Sequence, residues 1–425
     1  MGEQKIRIPP TAKVRSGLVR RQGAAVFTFF IALLIATATL WPLPEAAYWS
    51  AETQLTCLLC GEAGLQDILQ NIALFLPLGV GLGLLGFGVA RGALAGFGFV
   101  LLIETLQYTV VPGRDASLSD VLTNTLGAGL GVLLARQLPL LAMPSRAIAR
   151  RLAVGALLTW CLLWALGAWL VGSGDIRSEP WYVAFPRDVE DTPAFTGEPL
   201  SASIDGVPVV PGALDSLPLF VRNAYARDSF AFTVTVRLDQ PREERQLVLS
   251  VWDRDARSLL TLTRGRGHAR LGFYTRSKQL RLRGLRFDLG PWFRAAAGSV
   301  VELRVTREGG TVLVSGARAG LPSRQVIRLT PALLWPMMMP RVIRPGIAWE
   351  VESMLWVAAL LCLTGYWSAR GWAGLRLLFP LAVVGAMLLL VPRLMPVAPS
   401  SWIAWLMAAT GLTAGIAAGR STLDP

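Results

Sequence analysis

Two rhythms of apolar residues divide the chain. Along most of it, apolar positions run unbroken for the roughly 18–20 residues that carry a helix across a bilayer. Such runs fall at about 23–42, 68–88, 92–111, 118–137, 152–172, 350–368, 374–392 and 401–418, which predicts eight transmembrane helices. Between about 175 and 345 the period shortens to that of a strand. Phe230–Leu238, Gln246–Trp252, Leu259–Thr263, His268–Tyr274, Val300–Val305 and Thr311–Ser315 read as short strands separated by turn residues. Gly309-Gly310 joins the last two as a hairpin. Several strands at this spacing predict a jelly roll or sandwich, on a segment long enough to bury its own core. The expected fold is an α-helical polytopic membrane protein with an inserted all-β jelly-roll/sandwich domain.

On that reading 1–22 is a basic tail, 23–172 a five-helix membrane domain and 346–425 a C-terminal membrane domain of three helices. The segment 175–345 is the β domain, and the polar motifs of the first membrane domain concentrate in 65–136. Leu333–Pro340 is apolar, proline-bounded and too short to cross, which predicts an interfacial position. The first run follows Lys5, Arg7, Lys13, Arg15, Arg20 and Arg21, as the apolar core of a signal peptide would. Its length, about twice that of such a core, favours an uncleaved helix.

Composition agrees, since 53% hydrophobic content over 425 residues is too apolar for an ordinary soluble enzyme. Placing Arg91, Arg136, Arg146, Arg150, Arg151, Arg370 and Arg376 with the basic tail in the cytoplasm fits an even number of spans. Both termini are then cytoplasmic and 173–348 is extracytoplasmic. The net charge of +13 is thus a sum over two compartments, and no nucleic-acid partner is expected. Cys57-x-x-Cys60 falls in a loop placed in an oxidising compartment, where a disulfide is one reading and two ordinary thiols the other. Cys161 and Cys362 lie in apolar spans as small lipophilic residues.

Polar residues inside spans are costly and therefore informative. Asp67 and Asn71 share a helix face by their spacing of four, as do Asp120 and Asn124. Glu104 and Gln107 share another, and Arg114 follows in a short loop. By topology these seven residues lie at one depth, the outer end of the bundle. Gly79, Gly83, Gly127 and Gly131 allow the close approach that would bring them together. Simpler roles stay open: Ser117-Leu-Ser-Asp120 is a helix-capping pattern, Asp67 suits a helix start, and Glu104 suits a structural hydrogen bond or an ion pair with Arg114.

The order Asp67…Asn71…Phe75…Pro77-Leu78-Gly79, Glu104-x-x-Gln107, Pro112-Gly113-Arg114 and Asp120-x-x-x-Asn124-x-x-Gly127 resembles the VanZ-like domain over about 65–136. The resemblance implies a bacterial plasma (inner) membrane location and an envelope role linked to teicoplanin and lipoglycopeptide resistance, without naming a reaction. Some members carry a basic or aromatic residue near the first motif; here Gln70 stands there, which counts against a charge relay.

Within the β domain, Val300–Gly316 resembles the late hairpin of concanavalin A-like lectin/glucanase (laminin G-like) domains. That resemblance implies glycan binding, sometimes with calcium; no other cofactor and no metal site are expected. No paired carboxylates stand at glucanase spacing. Trp252, Asp253, Asp255 and Tyr274 are the candidate glycan contacts, with core packing and a rim turn as their plainer roles.

The single histidine, His268, lies in a predicted strand, where it is expected to be packed or hydrogen-bonded. Membrane phosphatases of the phosphatidic-acid type need more than one histidine, and exosortase-type and rhomboid chemistry need one within the membrane domain, so all three are disfavoured. Three classes remain. The first is an envelope protein binding a lipid head group or lipid-linked glycan through the polar cluster and an anionic polysaccharide through the β domain. The second is an enzyme on lipid-linked intermediates, with Glu104 as general acid or base and Arg114 clamping a phosphate. The third is a transporter or flippase, against which the repeated Asp-x-x-x-Asn units are parallel rather than inverted.

Overall fold

The computed structural model describes residues 10–42, 56–59, 63–112, 116–174, 180–186, 193–212, 214–240, 243–255, 257–318, 320–339 and 342–421. By packing, the chain divides into two units, Met1–Met143 and Pro144–Pro425. Eight helices among the described residues are long and apolar enough to cross a membrane, matching the eight predicted runs.

The first unit holds α1 (Pro10–Leu40), α2 (Gly64–Leu84), α3 (Val89–Thr109) and α4 (Leu118–Ala142). Small residues decide how they pack. A methyl group on Gly79 would fall on the Ala128 carbonyl, and methyls on Gly127 and Gly131 would fall on the carbonyls of Ile72 and Leu76. Backbones of α2 and α4 therefore touch along both helices, the close approach that drives association in lipid. Ile35, Phe75, Leu78, Val100 and Ile103 form the apolar interior where α1, α2 and α3 meet. Outward-facing Leu94 is 70% exposed, and Leu102 and Leu122 are also more than half exposed. Such a belt of bare leucines suits hydrocarbon rather than water.

The second unit opens with α5 (Arg146–Val171) and closes with α9 (Ile347–Gly371), α10 (Leu378–Leu394) and α11 (Trp402–Ser421). By packing, α5 falls within this unit. Arg150 Nε donates to the Gly371 carbonyl at 2.8 Å, and Gly167 leaves room for the backbone of Pro331. Gly411, Gly415 and Gly419 recur every four residues on α11, and methyls there would strike the carbonyls of Ala358, Cys362 and Tyr366 on α9. The segment Leu333–Pro340 begins α8 (Leu334–Met337); Leu333, Leu334 and Met337 are buried, and α5 packs against this turn.

Between these helices lies a sandwich of two six-stranded antiparallel sheets. Its strands are β1 (Trp181–Ala184), β2 (Glu198–Ile204), β3 (Val207–Val209), β4 (Leu214–Leu217), β5 (Ser229–Arg237), β6 (Gln246–Asp253), β7 (Ser258–Gly265), β8 (His268–Phe273), β9 (Leu285–Gly290), β10 (Val300–Glu308), β11 (Thr311–Arg318) and β12 (Leu321–Arg328), with short helices α6 (Leu219–Ala226) and α7 (Arg276–Gln279). One sheet runs β4-β1-β6-β7-β8-β9 and the other β12-β11-β10-β5-β2-β3. Alternation does what a period of two demands: Phe230, Phe232, Val234 and Val236 of β5 all point inward. Phe230 meets Phe273 of the opposite sheet with ring centroids 6.3 Å apart. The expected hairpin is present, with Glu308 paired to Thr311 across Gly309-Gly310.

Candidate functional site

Four helix ends meet at one end of the first unit: the C-termini of α1 and α3 and the N-termini of α2 and α4. Ser117 caps α4, its hydroxyl accepting from the Asp120 N–H at 3.1 Å. The Ser117 N–H donates to Glu104 Oε2 at 3.0 Å, tying α3 to that cap. From α2, Asn71 Nδ2 donates to Asp120 Oδ1 at 2.5 Å. Gln107 Nε2 donates to the Thr39 carbonyl at 2.8 Å, closing the group onto the last turn of α1. The capping role and the cluster thus coexist in Asp120: its backbone completes a cap while its carboxylate binds the neighbouring helix.

Two residues here are not satisfied. Asn124, one turn below Asp120, is buried with Oδ1 lacking any partner. Gln66, at the same end of α2, is 0% exposed, and neither its amide oxygen nor its amide nitrogen has a partner. A buried amide left unpaired costs about 1–3 kcal/mol, which makes both atoms candidates for contact with a ligand. Sequence reasoning did not single out Gln66; the signal was a glutamine directly before Asp67 in an apolar run. Asp67 itself is exposed in the first turn of α2. Arg114 lies outside the described residues. Cys57 is disulfide-bonded, Cys161 and Cys362 are free thiols, and Cys60, the expected partner of Cys57, lies outside the described residues.

The candidate glycan contacts of the β domain do not gather at one place. Asp253 is fully buried and accepts the N–H groups of Asp255 and Arg257 at 3.1 and 2.8 Å, so its carboxylate holds the turn after β6. Asp255 pairs with Arg257 at 2.6 Å on the surface. Tyr274 is buried, and its carbonyl accepts from the Tyr225 hydroxyl. Trp252 is partly exposed and lies 6.5 Å from Tyr182, ring to ring. Register puts this pair, Arg270 and Arg286 on the face of their sheet turned away from the apolar interior.

His268 is hydrogen-bonded, its Nδ1 2.8 Å from Asp288 Oδ1. Burial works against the charge on Asp288, but the His268 contact, the Gly290 N–H and the Arg344 guanidinium outweigh it and hold the carboxyl below its usual range. Deeper in the sandwich, Arg307 takes an inward position of β10. Its guanidinium donates to Asp228, to the Ser173 hydroxyl and to the Val171 carbonyl at the end of α5.

Residues 16–141 match the VanZ/LLP1 family model. This part of the chain is similar to the VanZ family, and the match takes in all four helix ends that build the polar cluster. No curated protein and no solved structure matches the chain.

Proposed function

We propose that this is a cell-envelope membrane protein whose VanZ-like helices hold a lipid head group or lipid-linked glycan at the outer end of the bundle. The observation that carries the reading is the buried, unpaired Asn124 and Gln66 beside the bonded set Asn71, Glu104, Ser117 and Asp120. Amide donors and acceptors backed by carboxylates suit sugar hydroxyls and phosphoester oxygens. The inserted β domain, read as lectin-like, holds an anionic envelope polysaccharide. The Tyr182–Trp252 pair and the arginines on the same sheet face support that assignment. A role in glycopeptide resistance or exopolysaccharide production follows from these ligands. Both termini are cytoplasmic and 173–348 extracytoplasmic, a reading supported by the loop arginines and checked with reporters fused to each end.

The test is binding of the purified full chain to lipid-linked envelope sugars and to anionic polysaccharides. Glu104→Gln and Asn124→Leu are expected to abolish the first and spare the second, whereas Arg270→Gln with Arg286→Gln does the reverse. Loss of neither ligand with either pair overturns the site assignment, and turnover of a bound intermediate would make the cluster an active site.

A further inference from the structure

The second unit contains a cavity of about 340 Å³ where the sandwich meets the first turn of α9. At about 30 Å³ for each water it could displace, it has the size of a polar head group rather than of an ion. Its walls carry one cation and one anion, Arg328 from the end of β12 and Glu350 from α9. Opposite charges facing one cavity would ordinarily join, yet these two form no ion pair. Glu350 Oε1 is buried with no hydrogen-bond partner, and so is the indole N–H of the neighbouring Trp349. The Ser353 hydroxyl is already spent on the Glu350 carbonyl at 2.9 Å. What the cavity lacks is therefore a donor for Glu350 and an acceptor for the Trp349 N–H, while the exposed Arg328 at its mouth can receive an anion.

We propose that this cavity binds the head group of a phosphoethanolamine lipid, its phosphodiester at Arg328 and its ammonium at Glu350. The carboxylate accepts only, so its partner must donate, and a cationic N–H both donates and neutralises the charge where a neutral hydroxyl only donates. A primary ammonium does so and a quaternary choline does not. The Trp349 N–H and the free N–H groups opening α9 add donors for the phosphodiester oxygens. A lipid source is favoured over a soluble one by position. The cavity sits at the start of a membrane-spanning helix, and its apolar rim is bare: Ile347 is 68% and Val326 49% exposed. Trp349 in its wall is the residue type that favours the membrane interface. This site is built wholly from residues of the second unit.

The experiment is native mass spectrometry of the intact protein with phosphatidylethanolamine, phosphatidylcholine and phosphatidylglycerol of identical acyl chains. Wild type is expected to retain the ethanolamine lipid about tenfold better than the other two. Glu350→Gln, which keeps shape and removes charge, is expected to erase that preference while leaving choline-lipid binding unchanged. Arg328→Gln, at an exposed strand position, is expected to weaken all three and serves if the Glu350 variant does not fold. Equal retention of ethanolamine and choline lipids by wild type, or a preference that survives Glu350→Gln, overturns the proposal. Glycerophosphoethanolamine is the soluble arm: failure to displace the lipid at equal concentration supports a lipid ligand, and full displacement overturns it.

Discussion

Arg307 donates to Asp228 at 2.5 Å inside the sandwich, and this pair is one of the points at which α5 is fastened to the β domain. The same guanidinium reaches the Val171 carbonyl and the Ser173 hydroxyl, while the Ser173 N–H donates to Asp228 at 2.6 Å. Breaking one half of a buried pair strands the other charge at a cost of about 3–5 kcal/mol. Arg307→Met is thus expected to lower the thermal midpoint of the purified protein sharply and to expose the β domain to protease. A double-mutant cycle with Asp228→Asn should show strong coupling between the two positions.

In the VanZ-like unit, stability and binding are expected to part company at Gln66. Its amide makes no hydrogen bond, so Gln66→Leu removes two stranded polar atoms and should raise the melting temperature in detergent, by about 1–3 kcal/mol of stability. Ser117→Ala should move the other way by about 1 kcal/mol, since it deletes the cap of α4. A stabilised Gln66→Leu protein that still binds lipid-linked sugar at full strength would remove Gln66 from the site.

Acid should act on the second unit through Asp288. Its folded carboxyl is held below the usual value, so it stabilises the fold at pH above the ordinary carboxyl range, near 4. That contribution is lost as pH falls from there through the lower folded value. Asp288→Asn is therefore expected to melt lower than wild type at neutral pH and to show a shallower decline below about pH 4. Thermal melts across pH 2–7 would reveal the converging curves.

Gly415→Leu is expected to separate α11 from α9, because a side chain there meets the Cys362 carbonyl with no flexible neighbour to yield. Overpacking of this kind costs about 1–3 kcal/mol. Glycine-to-leucine exchange at Gly155, where a methyl would meet nothing within 4 Å, is the matched control, and melts of the two variants should differ clearly.

How far the chain could be read beforehand depended on the length of each signal. Eight apolar runs were legible because a bilayer demands many consecutive residues. Six strands with strong alternation were legible too, but β1, β3 and β4 are only three or four residues long, too short for a period to register. β12 was hidden for another reason: it is an edge strand with Arg324 and Arg328 exposed, so it carries little apolar pattern. Helical spacing gave the Asp67/Asn71, Glu104/Gln107 and Asp120/Asn124 faces, and topology placed them at one end of the bundle. Which of them bond, and that Ser117 stands between Glu104 and Asp120, required the fold. Arg307 illustrates the limit: alternation in β10 assigns it an inward position, yet its partner Asp228 is far away in sequence, at a left-handed turn with φ 57°.

The turn between β10 and β11 leaves no room for a side chain at Gly310, which abuts the backbone of Val397 and Ala398 in the α10–α11 connection. There the Ala398 N–H donates to the Leu329 carbonyl at 2.8 Å, and the Leu329 N–H to Gly310 at 2.7 Å. In biosynthetic time this contact is a late one. Ala398 leaves the ribosome about 70 residues after Leu329, several seconds later at the usual rate of about 5–20 residues per second. The sandwich can pair its strands in that interval and meet α5, but this contact waits for α10 and the connection that follows it. A chain truncated before α10 would therefore carry a folded domain on an unfinished mount.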